Sequence, residues 1–234
     1  GKGGVGKSLV TSLIAARLNK KGFKVGILDA DVTGPSIPAS FQVKEPATTS
    51  EKLINPSLTK SGIKIISAGL MLDNNEEPII WRGPMISSLV KQLFTDVRWG
   101  ELDYLLIDMP PGTSDVALTI FQYIPVDGTI IVTSPQGLVS TIVAKTIQMS
   151  TQMSIRIYGV VENMAYVICK KCGEKNYVFG KSHAKYICDK YGCEFLGSVP
   201  LKEEITDAVD SGNIDGLDVE EIDSLVDNLI NQTK

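Results

Sequence analysis

The first eight residues, GKGGVGKS, limit what this chain can fold into more than any other stretch. Their small side chains let several backbone N–H groups converge on phosphate oxygens at the start of a helix. The pattern Gly1-x-x-x-x-Gly6-Lys7-Ser8 is that of a Walker A loop, in which the lysine meets the β- and γ-phosphates and the serine binds magnesium. The residues expected to surround the phosphates are Gly3, Gly4, Val5, Gly6, Lys7, Ser8 and Leu9.

Short apolar runs alternate with segments of helical period along the rest of the chain. The expected strands are residues 23–29, 63–67, 103–108, 128–133, 155–161 and 194–199. Helices are expected from residue 9 to Gly22, from Pro84 to about Val97, over 139–153 and near the end, with a loop over 34–56. Such continuous apolar strands are typical of parallel sheets covered on both faces. The sequence therefore predicts an α/β fold with a doubly wound, mostly parallel sheet.

The loop at residue 1 would normally follow a strand, and the sequence does not begin with Met. We therefore expect the first strand of the sheet to lie ahead of Gly1 in the natural protein. No internal repeat, low-complexity tract or linker divides the 234 residues. Residues 1–234 are expected to form a single domain.

Charge and hydropathy argue against nucleic acid and membranes as partners. The chain has 23 basic and 27 acidic residues without long like-charged blocks, so a broad basic surface is not expected. No run of about 18 apolar residues supports a membrane span, and no signal peptide is evident, which predicts a cytoplasmic protein. The last helix carries an apolar stripe with an acidic polar face, which favours core packing over membrane binding. The stripe consists of Ile222, Leu225, Val226, Leu229 and Ile230.

Polar side chains follow several of the predicted strands. Asp108 ends one strand and runs into DMPPGTSD, a Walker B pattern in which the carboxylate would hold a magnesium-bound water and the backbone of Gly112 could sense the γ-phosphate. Asp29 and Asp31 follow another strand, and Asn163 follows a third. An asparagine amide can both donate to and accept from an adenine edge. Each of these residues could instead be an ordinary turn residue.

All four cysteines lie in the last third of the chain, and their spacing leaves two kinds of site open. Cys169 and Cys172 form a Cys-x-x-Cys pair, whereas Cys188 and Cys193 follow at a wider spacing. Together they resemble a four-cysteine zinc site. However, Cys188 falls on the apolar face of a predicted helix with Ala184, Ile187 and Tyr191, and Cys193 follows a glycine at the expected helix stop. The second pair therefore has the pattern of buried thiols.

Several longer motifs together resemble one known family. They are WRGPM at 81–85, WGELDYLLIDMPPGTSD at 99–115, GVVENMAY at 159–166 and CKKCG at 169–173, and Lys2 adds the second lysine of a deviant Walker A loop. This set is similar to the Mrp/ApbC iron–sulfur cluster carriers, a branch of the ParA/MinD/nitrogenase-iron-protein class of P-loop NTPases. The resemblance covers essentially the whole chain.

The resemblance implies a function and assigns roles. It implies a homodimeric ATPase that uses ATP and Mg²⁺, in which Lys2 reaches across the interface to the nucleotide of the partner. Asp31 would position the attacking water and Asp29 would support the metal. Asn163 would contact the adenine. It also implies that Cys169 and Cys172, in a loop at about 164–180, bind a labile 4Fe–4S cluster at the interface and pass it to apo iron–sulfur proteins. Ligand number agrees, because one pair supplies half of the thiolates of such a cluster and a two-fold axis supplies the rest.

The sequence also departs from the resembled family and leaves rival functions open. Lys170 and Lys171 occupy the cysteine motif, where the family often has a proline. One rival is a ParA/MinD-like positioning scaffold, which would want a basic surface or tail. A second is an ATPase with a structural zinc site, and a third is a reductase that cycles a stable cluster.

Overall fold

The computed structural model describes residues 3–31, 34, 36–45, 47–50, 53–70, 83–111, 115–136 and 139–233. The helices are α1 (Lys7–Lys20), α2 (Ile37–Ser40), α3 (Gly83–Thr95), α4 (Asp115–Tyr123), α5 (Val139–Gln152), α6 (Ala184–Tyr191), α7 (Glu203–Asp210) and α8 (Glu220–Thr233). The strands are β1 (Val25–Asp29), β2 (Thr48–Ser50), β3 (Leu53–Asn55), β4 (Ser57–Leu58), β5 (Lys64–Ser67), β6 (Tyr104–Asp108), β7 (Thr129–Thr133), β8 (Ile157–Glu162), β9 (Val167–Ile168), β10 (Lys175–Asn176) and β11 (Phe195–Ser198). Across the described ranges, each helix is too short or too polar to span a bilayer.

The main parallel strands lie in two sheets, and helices connect these strands along the chain. One sheet has the order β4-β5-β1-β6, in which β5, β1 and β6 are parallel and β4 is an antiparallel edge. The other has the order β11-β8-β7 and is parallel throughout. The mostly parallel α/β architecture predicted from the sequence is confirmed.

A slot separates the two parallel groups, because β6 is the last strand of one sheet and β7 is the last strand of the other. The cavity there measures about 670 Å³ and is lined by β6, by the start of β7 and by α1. A strand ahead of Gly1 stays a prediction.

The core on one side of the sheet joins α1 to α8. The whole predicted apolar stripe of α8 is buried, and Leu225 is only 1% exposed. Burial of one such leucine stabilises the fold by about 1.5–3 kcal/mol. Arg17 of α1 is itself buried and donates to Asp218 and Asp223, both at 2.5 Å. The prediction that the last helix packs into the core is confirmed.

The structure corrects three local predictions. Residues 34–56 are not simply a loop, because they include α2 and the antiparallel pair β2 and β3. Several strands begin one or two residues later than their apolar runs, since β1 begins at Val25 and β8 at Ile157. Tyr191 was expected on the buried face of α6 but is 37% exposed, because it lies in the last turn, where the helix ends at Gly192.

Candidate functional site

The glycine-rich loop takes backbone shapes that only glycine adopts without strain. Gly4 and Gly6 have φ values of 78° and 81°, and Gly6 precedes α1 directly. A Cβ atom added to Gly6 would lie 2.2 Å from Nδ2 of Asn163. Because α1 starts at Lys7, the free N–H groups of its first turn lie at the loop, as phosphate binding requires.

Two carboxylates sit side by side next to this loop. Asp29 and Asp108 end adjacent parallel strands in register, and both are almost fully buried. Burial, and then the charge of Asp108, raise the pKa of Asp29 to about 7. Burial also raises the pKa of Asp108 to about 6, although hydrogen bonding by Ser8 and the charge of Lys7 oppose that shift. The site therefore concentrates negative charge where the sequence predicts a cation.

Other polar groups orient these carboxylates, and two of them were not foreseen from the sequence. Asp29 accepts from the backbone N–H of Asp31 at 3.1 Å and from the hydroxyl of Ser67 at 3.2 Å. Thr11 donates to Oδ1 of Asp108 at 3.5 Å. Ser67 could have been noticed because it ends a strand like Asp29, and Thr11 because it lies one helical turn after Lys7.

The residues present fit a magnesium ion with few protein ligands. Among the described residues, Oδ2 of Asp108 is buried and has no hydrogen-bond partner, and the hydroxyl of Ser8 lies beside the same carboxylate. Within the described ranges, no group of three or more histidine, cysteine or acidic side chains is arranged to hold a metal. Magnesium bound to nucleotide commonly keeps several waters and needs only one or two protein ligands.

Asn163 connects β8 to the phosphate loop. Its Nδ2 donates to the carbonyl of Val5 at 3.0 Å, and its backbone N–H donates to Thr133 at 2.8 Å. Asn163 is 1% exposed. The structure thus brings it to the nucleotide loop, while its contact with adenine stays a prediction. Lys2 and Gly112 lie outside the described residues.

The first cysteine pair lies at the tip of a small hairpin formed by β9 and β10. The N–H of Cys169 donates to Glu174 at 2.9 Å, and the N–H of Gly173 donates back to Cys169 at the same distance. Hydrogen bonding by the backbone N–H groups of Lys171 and Cys172 lowers the pKa of Cys169. Cys169 is half-buried and Cys172 is exposed. A thiolate held by N–H groups beside a second thiol is suited to binding a soft metal or cluster.

The second pair has the opposite character. Cys188 is 2% exposed, and burial raises its pKa to about 12. Cys193 packs against the cluster of buried apolar side chains that includes Ile187 and Cys188. Each of the four cysteines is among the described residues, and none belongs to a group of three or more potential metal ligands. This arrangement counts against a four-cysteine zinc site within one chain.

Glu162 is a further residue that the sequence did not single out. Glu162 is 1% exposed, and burial raises the pKa of its carboxylate, although the nearby hydroxyl of Ser182 opposes that shift. The end of β8 therefore lies against the segment that leads from the cysteine hairpin into α6. An acidic residue at the end of an apolar strand, directly before Asn163, was the sequence signal that could have identified it.

Comparison with known proteins decides the family. The family described as NUBPL iron-transfer P-loop NTPase, of the ParA group, matches residues 1–233. The chain belongs to this family. The resemblance to iron–sulfur cluster carriers and the P-loop NTPase fold of the ParA/MinD type are thereby confirmed.

Individual relatives agree with this family assignment. The iron-sulfur cluster carrier protein of Clostridium perfringens is 47% identical over 91% of this chain and 77% of its own length. That of Aquifex aeolicus is 42% identical over 91% of this chain, which spans 58% of that relative. A nucleotide-binding protein of Archaeoglobus fulgidus, solved with ADP, superposes with a TM-score of 0.84 at 41% identity, covering 94% of this chain and 86% of its own. MinD of Pyrococcus furiosus shares the fold, with a TM-score of 0.71 at 18% identity. That match covers 100% of this chain and 94% of MinD.

Proposed function

We propose that this protein binds and hydrolyses ATP, holds a 4Fe–4S cluster between two copies of the chain, and passes the cluster to apo iron–sulfur proteins. One observation carries the proposal: the Cys169–Cys172 pair is accessible, its first thiol has a lowered pKa, and no third ligand accompanies it among the described residues. Since a 4Fe–4S cluster takes about four thiolates, the pair needs a second pair from elsewhere. A two-fold symmetric dimer supplies it.

The nucleotide half of the proposal rests on the loop and its carboxylates. The backbone N–H groups of Gly3 to Leu9 would cradle the phosphates, and Lys7 would neutralise them. Ser8 and Asp108 would hold Mg²⁺, which supplies charge neutralisation at the phosphates when bound. Asp31 would orient the attacking water, with Asp29 holding the N–H of Asp31 in place at 3.1 Å. Lys2 would contact the partner's nucleotide and Gly112 the γ-phosphate.

The cluster half is tested by anaerobic reconstitution, with iron and sulfide measured per dimer. We expect about four irons per two chains for the parent and a near-complete loss for Cys169→Ala and Cys172→Ala. Cys193→Ala is the matched control, because that thiol packs against apolar neighbours, and it should keep the cluster. Equal cluster content in the parent and in Cys169→Ala would refute the carrier function, and bound zinc with no iron would favour the structural metal site.

Dimerisation is tested separately by analytical ultracentrifugation with Mg-ATP. We expect the parent to dimerise and Lys2→Ala to lose the nucleotide dependence, because a lysine that reaches the partner's phosphates links ATP to association. A strictly monomeric parent in the presence of both Mg-ATP and cluster would contradict the proposal. ATP-dependent pelleting with anionic liposomes or DNA would favour the positioning scaffold instead.

A further inference from the structure

An exposed stretch follows Cys169 and runs without interruption from residue 170 to residue 183. Its centre consists of three consecutive large apolar side chains, which we call the apolar patch: Tyr177 is 45% exposed, Val178 63% and Phe179 40%. Contiguous apolar side chains exposed in this way mark surfaces that bind another molecule, whereas isolated ones do not.

The apolar patch lies close to the cysteine pair. In the hairpin, Val167 pairs with Asn176, so Tyr177 comes opposite Tyr166, and the ring centroids of the two tyrosines are 6.1 Å apart. Tyr166 precedes Cys169 by three positions, which corresponds to about 10 Å along an extended chain. A protein seated on the patch would therefore bring its own surface next to the cluster ligands.

Lysines outnumber acidic residues within the exposed stretch itself, although Lys170 is paired with Glu203 of α7 and Lys175 lies close to Glu221 of α8. The exposed stretch contains one acidic residue, Glu174, and four lysines, whereas the whole chain has 27 acidic and 23 basic residues. The lysines are Lys170, Lys171, Lys175 and Lys181. Two of them flank the apolar patch in the sequence, since Lys175 lies before it and Lys181 after it. Complementary charge on a partner would consist of carboxylates around an apolar centre.

A second copy of the chain fits this surface poorly. A two-fold contact centred on the apolar patch would place Lys175 and Lys181 of one copy opposite the same lysines of the other. Like charges opposed across an interface disfavour association. The proposed dimer is instead centred on the Cys169–Cys172 pair, where Lys170 is paired with Glu203. The patch therefore calls for a partner of opposite charge.

We propose that the apolar patch, with Lys175 and Lys181 at its border, is the docking surface for an acidic apoprotein that accepts the cluster. This inference rests on the proposed carrier function. During transfer, each iron–thiolate bond that breaks is replaced by one to the acceptor, and the proton of each acceptor thiol passes to a released cysteine. No electron is gained or lost in the exchange.

The test measures binding of the cluster-free protein to an immobilised bacterial-type apo-ferredoxin with an acidic surface, at low ionic strength. We expect Val178→Glu and Lys181→Glu to raise the Kd at least about 10-fold, through loss of an apolar contact and through charge repulsion. The controls are Leu58→Glu and Lys44→Glu. Leu58 is 61% exposed on β4, outside the patch, and both control variants should bind the probe with the Kd of the parent. Binding by the parent should weaken as salt is added.

Two outcomes would overturn the docking surface. One is an unchanged Kd for both patch variants, or no binding by the parent at all. The other is loss of the dimer or of cluster content in the patch variants, which would make the patch a contact between copies of this chain. Iron and sulfide measured on the same preparations separate the two proposals. A parent that binds the probe through the patch but takes up no cluster refutes the carrier function and leaves the docking surface standing.

Discussion

Replacing Asp29 by asparagine should stabilise the protein while damaging its nucleotide site. In the folded protein the pKa of Asp29 lies at about 7, against an ordinary value of 3.8, because the carboxylate is buried and lies beside Asp108. At about 1.4 kcal/mol per pKa unit, this shift corresponds to a destabilisation of about 4 kcal/mol when Asp29 is ionised. Asparagine has the same shape and can still accept from the N–H of Asp31, so Asp29→Asn removes the charge and keeps that hydrogen bond.

The effect has a definite dependence on pH. Because the pKa is raised in the folded state, the folded protein holds this proton more tightly than the unfolded chain does. The penalty is absent below about pH 4, grows as pH rises between 3.8 and about 7, and is complete above that range. Relative to the parent, Asp29→Asn should therefore gain about 2–4 kcal/mol in unfolding free energy at pH 8. The gain should fall to less than half of that at pH 5.

Urea unfolding of the nucleotide-free protein at pH 8 and at pH 5 measures both values. Asp189→Asn on α6 is the matched control, because that carboxylate is exposed, and its stability should follow the parent at both pH values. Mg-ATP should stabilise the parent more than Asp29→Asn, since ligand binding adds to stability only as far as the site is intact. The reasoning fails if Asp29→Asn is no more stable than the parent at pH 8, or if its advantage does not shrink at pH 5.

Three further predictions concern the loop, the thiols and the core. Gly6→Ala should weaken ATP binding, measured by calorimetry, by roughly 10- to 100-fold. The positive φ of Gly6 and a new Cβ atom 2.2 Å from Nδ2 of Asn163 would introduce strain of about 1–3 kcal/mol. An ATP affinity equal to that of the parent would contradict this reasoning. In the cluster-free protein, Cys169 should react with iodoacetamide at neutral pH much faster than Cys188, because N–H groups lower the pKa of the first thiol and burial raises that of the second, as peptide mass spectrometry would show. Equal rates would count against the assigned environments. Leu225→Ala should lower the unfolding free energy, measured in urea, by about 2–5 kcal/mol, because the Leu225 side chain is 1% exposed. A loss well below this range would mean that the core collapses into the space left by the deleted side chain.

Local chemistry explains why much of this protein could be predicted from its sequence. The glycine-rich loop, the helix that begins at Lys7 and the Cys-x-x-Cys pair each depend on residues close together in the chain. Parallel strands were recognisable because burial on both faces demands continuous apolar runs. The errors fell where local patterns are weak: the short strands β2 and β3 have few buried side chains to mark them, and Tyr191 lies at a helix end.

By itself the sequence determined which chemical groups are present and which of them are neighbours along the chain: a phosphate loop, acids after strands, and one close pair of thiols. Only the tertiary structure decided which distant groups meet. Strand register set Asp29 beside Asp108 and buried both, and packing placed Ser67 and Thr11 against them. Packing also kept Cys188 and Cys193 among apolar side chains while Cys172 and the apolar patch stayed exposed. The physical reason is that burial and charge proximity are properties of the assembled core, and they set pKa values and ligand availability that no local pattern contains.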